Sequence, residues 1–154
     1  SKEAIRRILG ERPRKIITDP SLTSAGVLFL LYPKGKEICV LLNKRTDRVR
    51  HHKGEISFPG GQRDERDATL RDTALREAKE EMGIRPEDVE LLGELDDVST
   101  SSRFLISTQV GTVPCPYKFR PNHHFNRKIC NFRKKAIRIT YNTGSFNVFF
   151  LTDI

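Results

Sequence analysis

Cysteine is scarce in this sequence: Cys39, Cys115 and Cys130 are the three among 154 residues. The number is odd and no two form a CxxC pair. Neither a disulfide framework nor a zinc site is therefore expected, and a reducing, cytoplasmic setting fits. Long apolar runs are also missing. The longest, AGVLFLLY at 25–32, falls well short of the roughly 20 residues that span a bilayer, so no membrane partner is expected. Residues 1–20 lack the apolar core of a signal peptide, and the final LTDI is not a peroxisomal address. Internal repeats and low-complexity tracts are absent, so the fold is not built by repetition. Acidic residues run out toward the end. Residues 121–154 carry Arg127, Lys128, Arg133, Lys134, Lys135 and Arg138 against Asp153 alone.

What is present is a chain with 36% hydrophobic and 31% charged residues, outside the range of disorder, and of a length that favours one domain over 1–154. The net charge of +8 attracts phosphate-bearing partners. Because much of that charge sits in the last residues, nucleic acid is not required as a partner. Residues 2–9, KEAIRRIL, read as a short amphipathic helix, followed by an extended linker marked by Pro13 and Pro20. The runs 24–32 and 37–45 read as strands joined as a hairpin through PKGK. A basic loop, 44–53, leads to a short strand at 55–58 that ends at Pro59-Gly60-Gly61. From about Thr69 to Met82 the period is helical, with Leu75, Ala78 and Met82 on one side and Glu77, Glu80 and Glu81 on another. Gly83 suits a left-handed cap. Residues 89–98 and 104–114 read as further strands, and 145–151, SFNVFFL, as a last one. Strands with one strong helix indicate an α/β layered fold.

The acids pose the functional question. Residues 54–84 hold eight carboxylates, and Glu77, Glu80 and Glu81 share one helical side at i, i+3 and i+4. They repel one another, and two lie where the helix dipole disfavours anions. A divalent ion would offset both costs, because Mg²⁺ and Mn²⁺ take carboxylate oxygens and keep positions for water and phosphate. A bare ExxEE is more often a solvated face, and Arg76 and Lys79 can neutralise it without metal. The setting shifts the balance. Pro59-Gly60-Gly61 would permit a positive-φ turn whose backbone a phosphate can approach, and Arg45, Arg48, Arg50 and Lys53 lie just upstream with His51 and His52. Carboxylates for metal, a glycine turn and a cluster of arginines together describe a polyphosphate site.

These residues resemble the Nudix box, whose pattern is G, five residues, E, seven residues, then R-E-apolar-x-E-E-x-G-apolar. Arg76, Glu77, Ala78, Glu80, Glu81, Gly83 and Ile84 match its second half. Its first half departs: Asp67 stands where Glu is usual, and eight residues rather than seven separate it from Arg76. Asp67 is expected to pair with Arg76 all the same. The extra residue is similar to the coenzyme A pyrophosphatase branch, whose FPGG-x-x-D-x-x-D…TALREAxEE is met by Phe58, Pro59, Gly60, Gly61, Asp64, Asp67, Thr73, Ala74, Leu75, Arg76 and Glu77. The upstream signature of that branch is met by Leu41, Leu42, Asn43, Arg45, Thr46, Arg50, Gly54 and Phe58, with Asn43 where Thr is commoner.

The resemblance implies a Nudix-type α/β/α sandwich with a mixed β-sheet. It also implies Mg²⁺- or Mn²⁺-dependent hydrolysis of coenzyme A to 3′,5′-ADP and 4′-phosphopantetheine. Glu77 and Glu81 would be the main metal ligands, with Glu80 direct or through water, and Arg76 would complete the catalytic set. Arg45, Arg50, Gly60 and Gly61 would meet the substrate. No general base is singled out. Two other readings stay open: a Nudix hydrolase of another nucleoside diphosphate derivative such as ADP-ribose or NADH, and a non-catalytic domain that binds RNA or protein. A homodimer is compatible with either. The resemblance covers about 24–121. The basic, Asn-rich stretch from 122 departs from the acidic, helical ending of the family. The expectation is an atypical tail that leaves the sandwich incomplete at its C-terminus, as a shift of reading frame would produce.

Overall fold

The computed structural model describes residues 1–35, 37–45, 56–123, 126–132, 139–141 and 148–150, with backbone alone for 126 onward and for a few strand residues. Helix α1 spans Lys2–Glu11, and strands β1 (Thr23–Lys34) and β2 (Glu37–Arg45) form the expected hairpin. Two short strands follow, β3 (Ile56–Ser57) and β4 (Gly60–Gln62), and then helix α2, Leu70–Met82. A 3-10 turn at Pro86–Asp88 precedes β5 (Glu90–Glu94), β6 (Val98–Ser99) and β7 (Phe104–Thr112). The described tail contributes β8 (Asn126–Phe132), β9 (Ile139–Tyr141) and β10 (Val148–Phe150).

The main sheet runs β3-β2-β1-β7-β5, with β4 beside β1, β6 beside β7 and β8 beside β2. The pairing of β1 with β7 is parallel, from Thr23 opposite Phe104 to Leu31 opposite Thr112, and the other pairings are antiparallel. β1 is central, which is why its apolar run is continuous rather than alternating. Successive side chains leave on opposite sides of the sheet. Ala25, Val27 and Phe29 join one buried cluster with Val40, Leu42, Ile106 and Val110, against which Ile5 and Leu9 of α1 pack. Leu28 and Leu30 join the other with Ala74, Ala78 and Met82 of α2. A mixed sheet between two helices is the α/β/α sandwich expected from the sequence.

Several expectations need correction. The buried stripe of α2 is Thr73, Ala74, Ala78 and Met82, and Leu75 is only half-buried. Ala74 takes the central place because α2 lies almost against β1: a Cβ on Gly26 would stand 2.2 Å from the Leu70 carbonyl oxygen. Gly60 and Gly61 do not form a positive-φ turn. They are the start of β4, opposite Val27 and Gly26, and among the described residues the positive-φ glycines are Gly35, Gly83 and Gly93. The expected strand at 89–98 is two strands, interrupted where Asp96 and Asp97 turn to the segment before β1. That segment is anchored rather than loose. Arg12 Nη1 donates to Asp96 Oδ1 at 2.6 Å, Arg14 Nη2 to Asp97 Oδ1 at 2.6 Å, and Arg14 Nη1 also meets Glu94. β8 and β9 are not anticipated by the sequence pattern. β10 lies within the expected strand at 145–151, whose remaining residues lie outside the described ones.

Candidate functional site

α2 carries the acids, and its ends are firmly set. Thr69 Oγ1 accepts from the Asp72 amide at 3.2 Å while Asp72 Oδ2 accepts from the Thr69 amide at 2.9 Å, a reciprocal capping box. At the other end Gly83 has φ +67 and its amide donates to Lys79. The amides of Arg120 and Asn122 donate to the Met82 and Glu81 carbonyls at 2.8 and 2.9 Å. These donors satisfy carbonyls that a helix C-terminus otherwise leaves bare.

Arg76 organises the charges. Its Nε and Nη2 donate to Asp67 at 3.0 and 2.9 Å, a two-pronged pair, and Nη2 also reaches the Gln62 carbonyl at 3.2 Å. Its Nη1 donates to Glu77 Oε1 at 2.7 Å and stands 3.4 Å from Glu80 Oε2. The expected contact between Asp67 and Arg76 is thus formed despite the shorter acid and the extra residue. Asp67 is buried and also accepts from Thr73 Oγ1 and the Asp64 amide, each at 2.9 Å. The hydrogen bonds from Arg76 hold its carboxyl far below the usual range against the opposing effect of burial. The same contact raises the Arg76 guanidinium further above its ordinary value.

The three glutamates differ. Glu77 is half-buried, and burial pushes its carboxyl up although Arg76 pulls the other way. It lies against β4, where a Cβ on Gly61 would stand 2.7 Å from Glu77 Cδ. Glu81 Oε2 accepts from Asn43 Nδ2 at 2.8 Å and from the Gly60 amide at 3.2 Å. Glu80 points outward with its side chain 57% exposed. So Gly60 and Gly61 belong to the site through close approach of backbone to the acids: Gly60 turns its amide to Glu81, and Gly61 leaves room for Glu77.

The donor set suits a hard divalent ion: carboxylate oxygens only, on one side of one helix, with one acid half-buried at a cost that a cation would offset. As the side chains stand, no three His, Cys, Asp or Glu among the described residues are gathered around a common point; the positive charge between Glu77 and Glu80 is that of Arg76. The Arg45 side chain and the whole of Arg48, Arg50, His51, His52 and Lys53 lie outside the described residues. Asn43 and Ser57 are members of the site that the sequence reading did not assign to it. A lone Asn ending the run VLLN was the available signal. Cys39 is buried and Cys115 exposed, and both are free. No helix among the described residues is long and apolar enough to cross a membrane.

Comparison with known proteins gives the family and the fold. Residues 21–117 match the family described as NUDIX domain. A protein described as an uncharacterized Nudix hydrolase, NudL, from Yersinia enterocolitica is 43% identical over 86 residues, which are 56% of this chain and 44% of that protein. A NudL from Citrobacter koseri is 42% identical over 87 residues, 56% of this chain and 42% of its own. The matched stretch therefore spans less than half the length of these relatives. Among solved structures, a Caenorhabditis elegans Ap4A hydrolase binary complex superposes with a TM-score of 0.60 at 17% identity, covering 70% of this chain and 77% of that one. The NUDIX domain of Shewanella oneidensis NrtR complexed with ADP ribose gives 0.54 at 20% identity, covering 82% and 81%. Both share the fold.

Proposed function

Since this chain belongs to the Nudix family, we propose that it hydrolyses the pyrophosphate bond of coenzyme A or its derivatives, with Mg²⁺ or Mn²⁺ held by Glu77 and Glu81 and by Glu80 directly or through water. The observation that carries the reading is the seating of α2 on β4. There Glu77 meets Gly61, Glu81 meets Gly60, and Arg76 is fixed by Asp67 so that it steadies Glu77 without leaving the acids bare. A bound divalent ion would supply charge neutralisation for the phosphates and a more acidic water. The protein's own part is to hold the acids at one corner and to orient the substrate. Attack of water on phosphorus breaks the anhydride P–O bond and yields 3′,5′-ADP and 4′-phosphopantetheine. Arg45 and Arg50 take the substrate phosphates in this reading. Coenzyme A carries a 3′-phosphate beyond its pyrophosphate, which gives a basic loop a use. The reading treats 1–154 as one Nudix domain acting in the cytoplasm, with no need of membrane or nucleic acid.

The test is product analysis with coenzyme A, ADP-ribose and NADH offered separately with Mn²⁺, for the wild type and for Glu81→Gln. Coenzyme A should be cut to the two named products, and Glu81→Gln should lower the rate by orders of magnitude. Turnover of ADP-ribose with coenzyme A left intact would overturn the substrate and keep the metal site. An unchanged rate in Glu81→Gln would remove Glu81 from the chemistry. RNA binding with steep salt dependence, and no Mn²⁺-supported turnover of any of the three, would favour a binding domain.

A further inference from the structure

Glu81 is held by something its own helix does not provide. Asn43 on β2 stands directly opposite Ser57 on β3, and residues directly opposite on paired strands turn their side chains to the same side of the sheet. Asn43 is 1% exposed. Its Nδ2 donates to Glu81 Oε2 at 2.8 Å, and its Oδ1 accepts from Ser57 Oγ at 2.8 Å. The directions are forced. An ionised carboxylate only accepts, so the amide must turn its NH₂ to Glu81; its oxygen then faces Ser57, and the serine hydroxyl must donate. The Gly60 amide adds a second donor to the same carboxylate oxygen at 3.2 Å.

A glutamate on the last turn of a helix, beside two other acids, would otherwise swing to solvent. Glu80, with Arg76 3.4 Å away, does so and is 57% exposed. Glu81 is instead tied directly to β2 through Asn43 and to β4 through the Gly60 amide, and β3 backs Asn43 through Ser57. The geometry points to Asn43, backed by Ser57, as a positioning residue that fixes the Glu81 carboxylate at the metal corner. This rests on the metal-dependent reading above. It adds to that reading which residues outside the box set how tightly the ion is held.

The experiment measures binding of Mn²⁺ alone to the full chain, by the electron paramagnetic resonance signal of free Mn²⁺, with circular dichroism to establish folding. Asn43→Leu keeps the size and removes the donor. It should bind Mn²⁺ about 10–100-fold more weakly, the usual cost of losing a partner of a metal ligand. In turnover its kcat at low Mn²⁺ should fall while KM for the nucleotide substrate holds, and excess Mn²⁺ should restore most of the rate. Ser57→Ala, a milder change, should weaken Mn²⁺ binding in the same direction and by less. If Asn43→Leu does not fold, Ser57→Ala decides by the same measurement. Wild-type Mn²⁺ affinity in a folded variant overturns the assignment and leaves the metal site standing. Absence of Mn²⁺ binding in the wild type overturns both.

Discussion

At the scale of single residues, Asp67 shows how a departure from a pattern can leave a contact intact. It is one carbon shorter than the usual acid and one residue further from Arg76 along the chain, yet it meets both prongs of the guanidinium. The Arg76 guanidinium holds its carboxyl well below the ordinary aspartate value in the fold. Protonating it therefore costs the folded state more than the unfolded one, and the stability it contributes is full above that value and declines as pH falls through it. Asp67→Asn should lower unfolding free energy by about 2 kcal/mol at neutral pH, the scale of a covered hydrogen bond to a charged group. In urea titrations the gap from wild type should narrow below pH about 4.

Two glycines separate stability from function. A Cβ on Gly26 would meet backbone, 2.2 Å from the Leu70 carbonyl, so Gly26→Ala should cost about 3 kcal/mol or more in thermal unfolding. A Cβ on Gly61 would meet the movable end of Glu77. Gly61→Ala should cost about 1 kcal/mol or less but, under the proposed function, lower Mn²⁺-supported turnover by displacing that acid. Helical spacing alone puts Arg76, Glu77, Glu80 and Glu81 on one stretch of helix, whereas the pairing of Asp67 with Arg76 was legible only through the resemblance to the Nudix box. The contact of Asn43 with Glu81 was not legible, although Asn43 matches the upstream signature, since its partner Ser57 is fixed by strand register, which no local pattern encodes.

At the scale of elements, α2 was the most readable part: its period and the glycine at its stop lie within its own stretch of chain. Gly83→Ala tests the stop. The position has φ +67 and a Cβ there would come within 2.7 Å of Arg120 Cβ, so a loss of about 1–2 kcal/mol is expected from the backbone alone, measured by denaturant midpoint. β4 was misread because glycine pairs signal two different things, a freedom of φ and a need for close approach, and the sequence does not distinguish them. β8 escaped because NRKICNF has neither alternation nor a continuous apolar run. It is a strand through backbone pairing with β2, Val40 opposite Phe132 through Arg45 opposite Asn126.

At the scale of the whole molecule, layers could be anticipated and order could not. Amphipathic spacing tells which side of an element is buried, but the neighbours of β1 come from distant parts of the chain. The segment ahead of β1 is another case. Read as a linker, it is riveted to β5, to the turn that follows it and to β7 through Arg14, whose guanidinium meets Glu94, Asp97, the Leu95 carbonyl and Ser107. Asp97 is 4% exposed at its side chain, so Arg14→Leu would leave it without its cation. A loss of about 3 kcal/mol is expected in chemical denaturation. The exposed pair of Lys2 with Glu90 should contribute under about 1 kcal/mol and fade with salt.

The parallel seam between β1 and β7 sets a schedule for synthesis. Thr23 finds its neighbour in Phe104 and Leu31 in Thr112, so a chain emerging from the ribosome makes β1 long before anything can sit on that flank. Contacts this remote in sequence close slowly and leave sticky strands waiting. The acid-bearing helix, already complete at Met82, is made while the platform beneath it is still half built. Chaperone demand should therefore peak between translation of β1 and translation of β7, and a ribosome stalled inside that interval would carry a nascent domain prone to clumping.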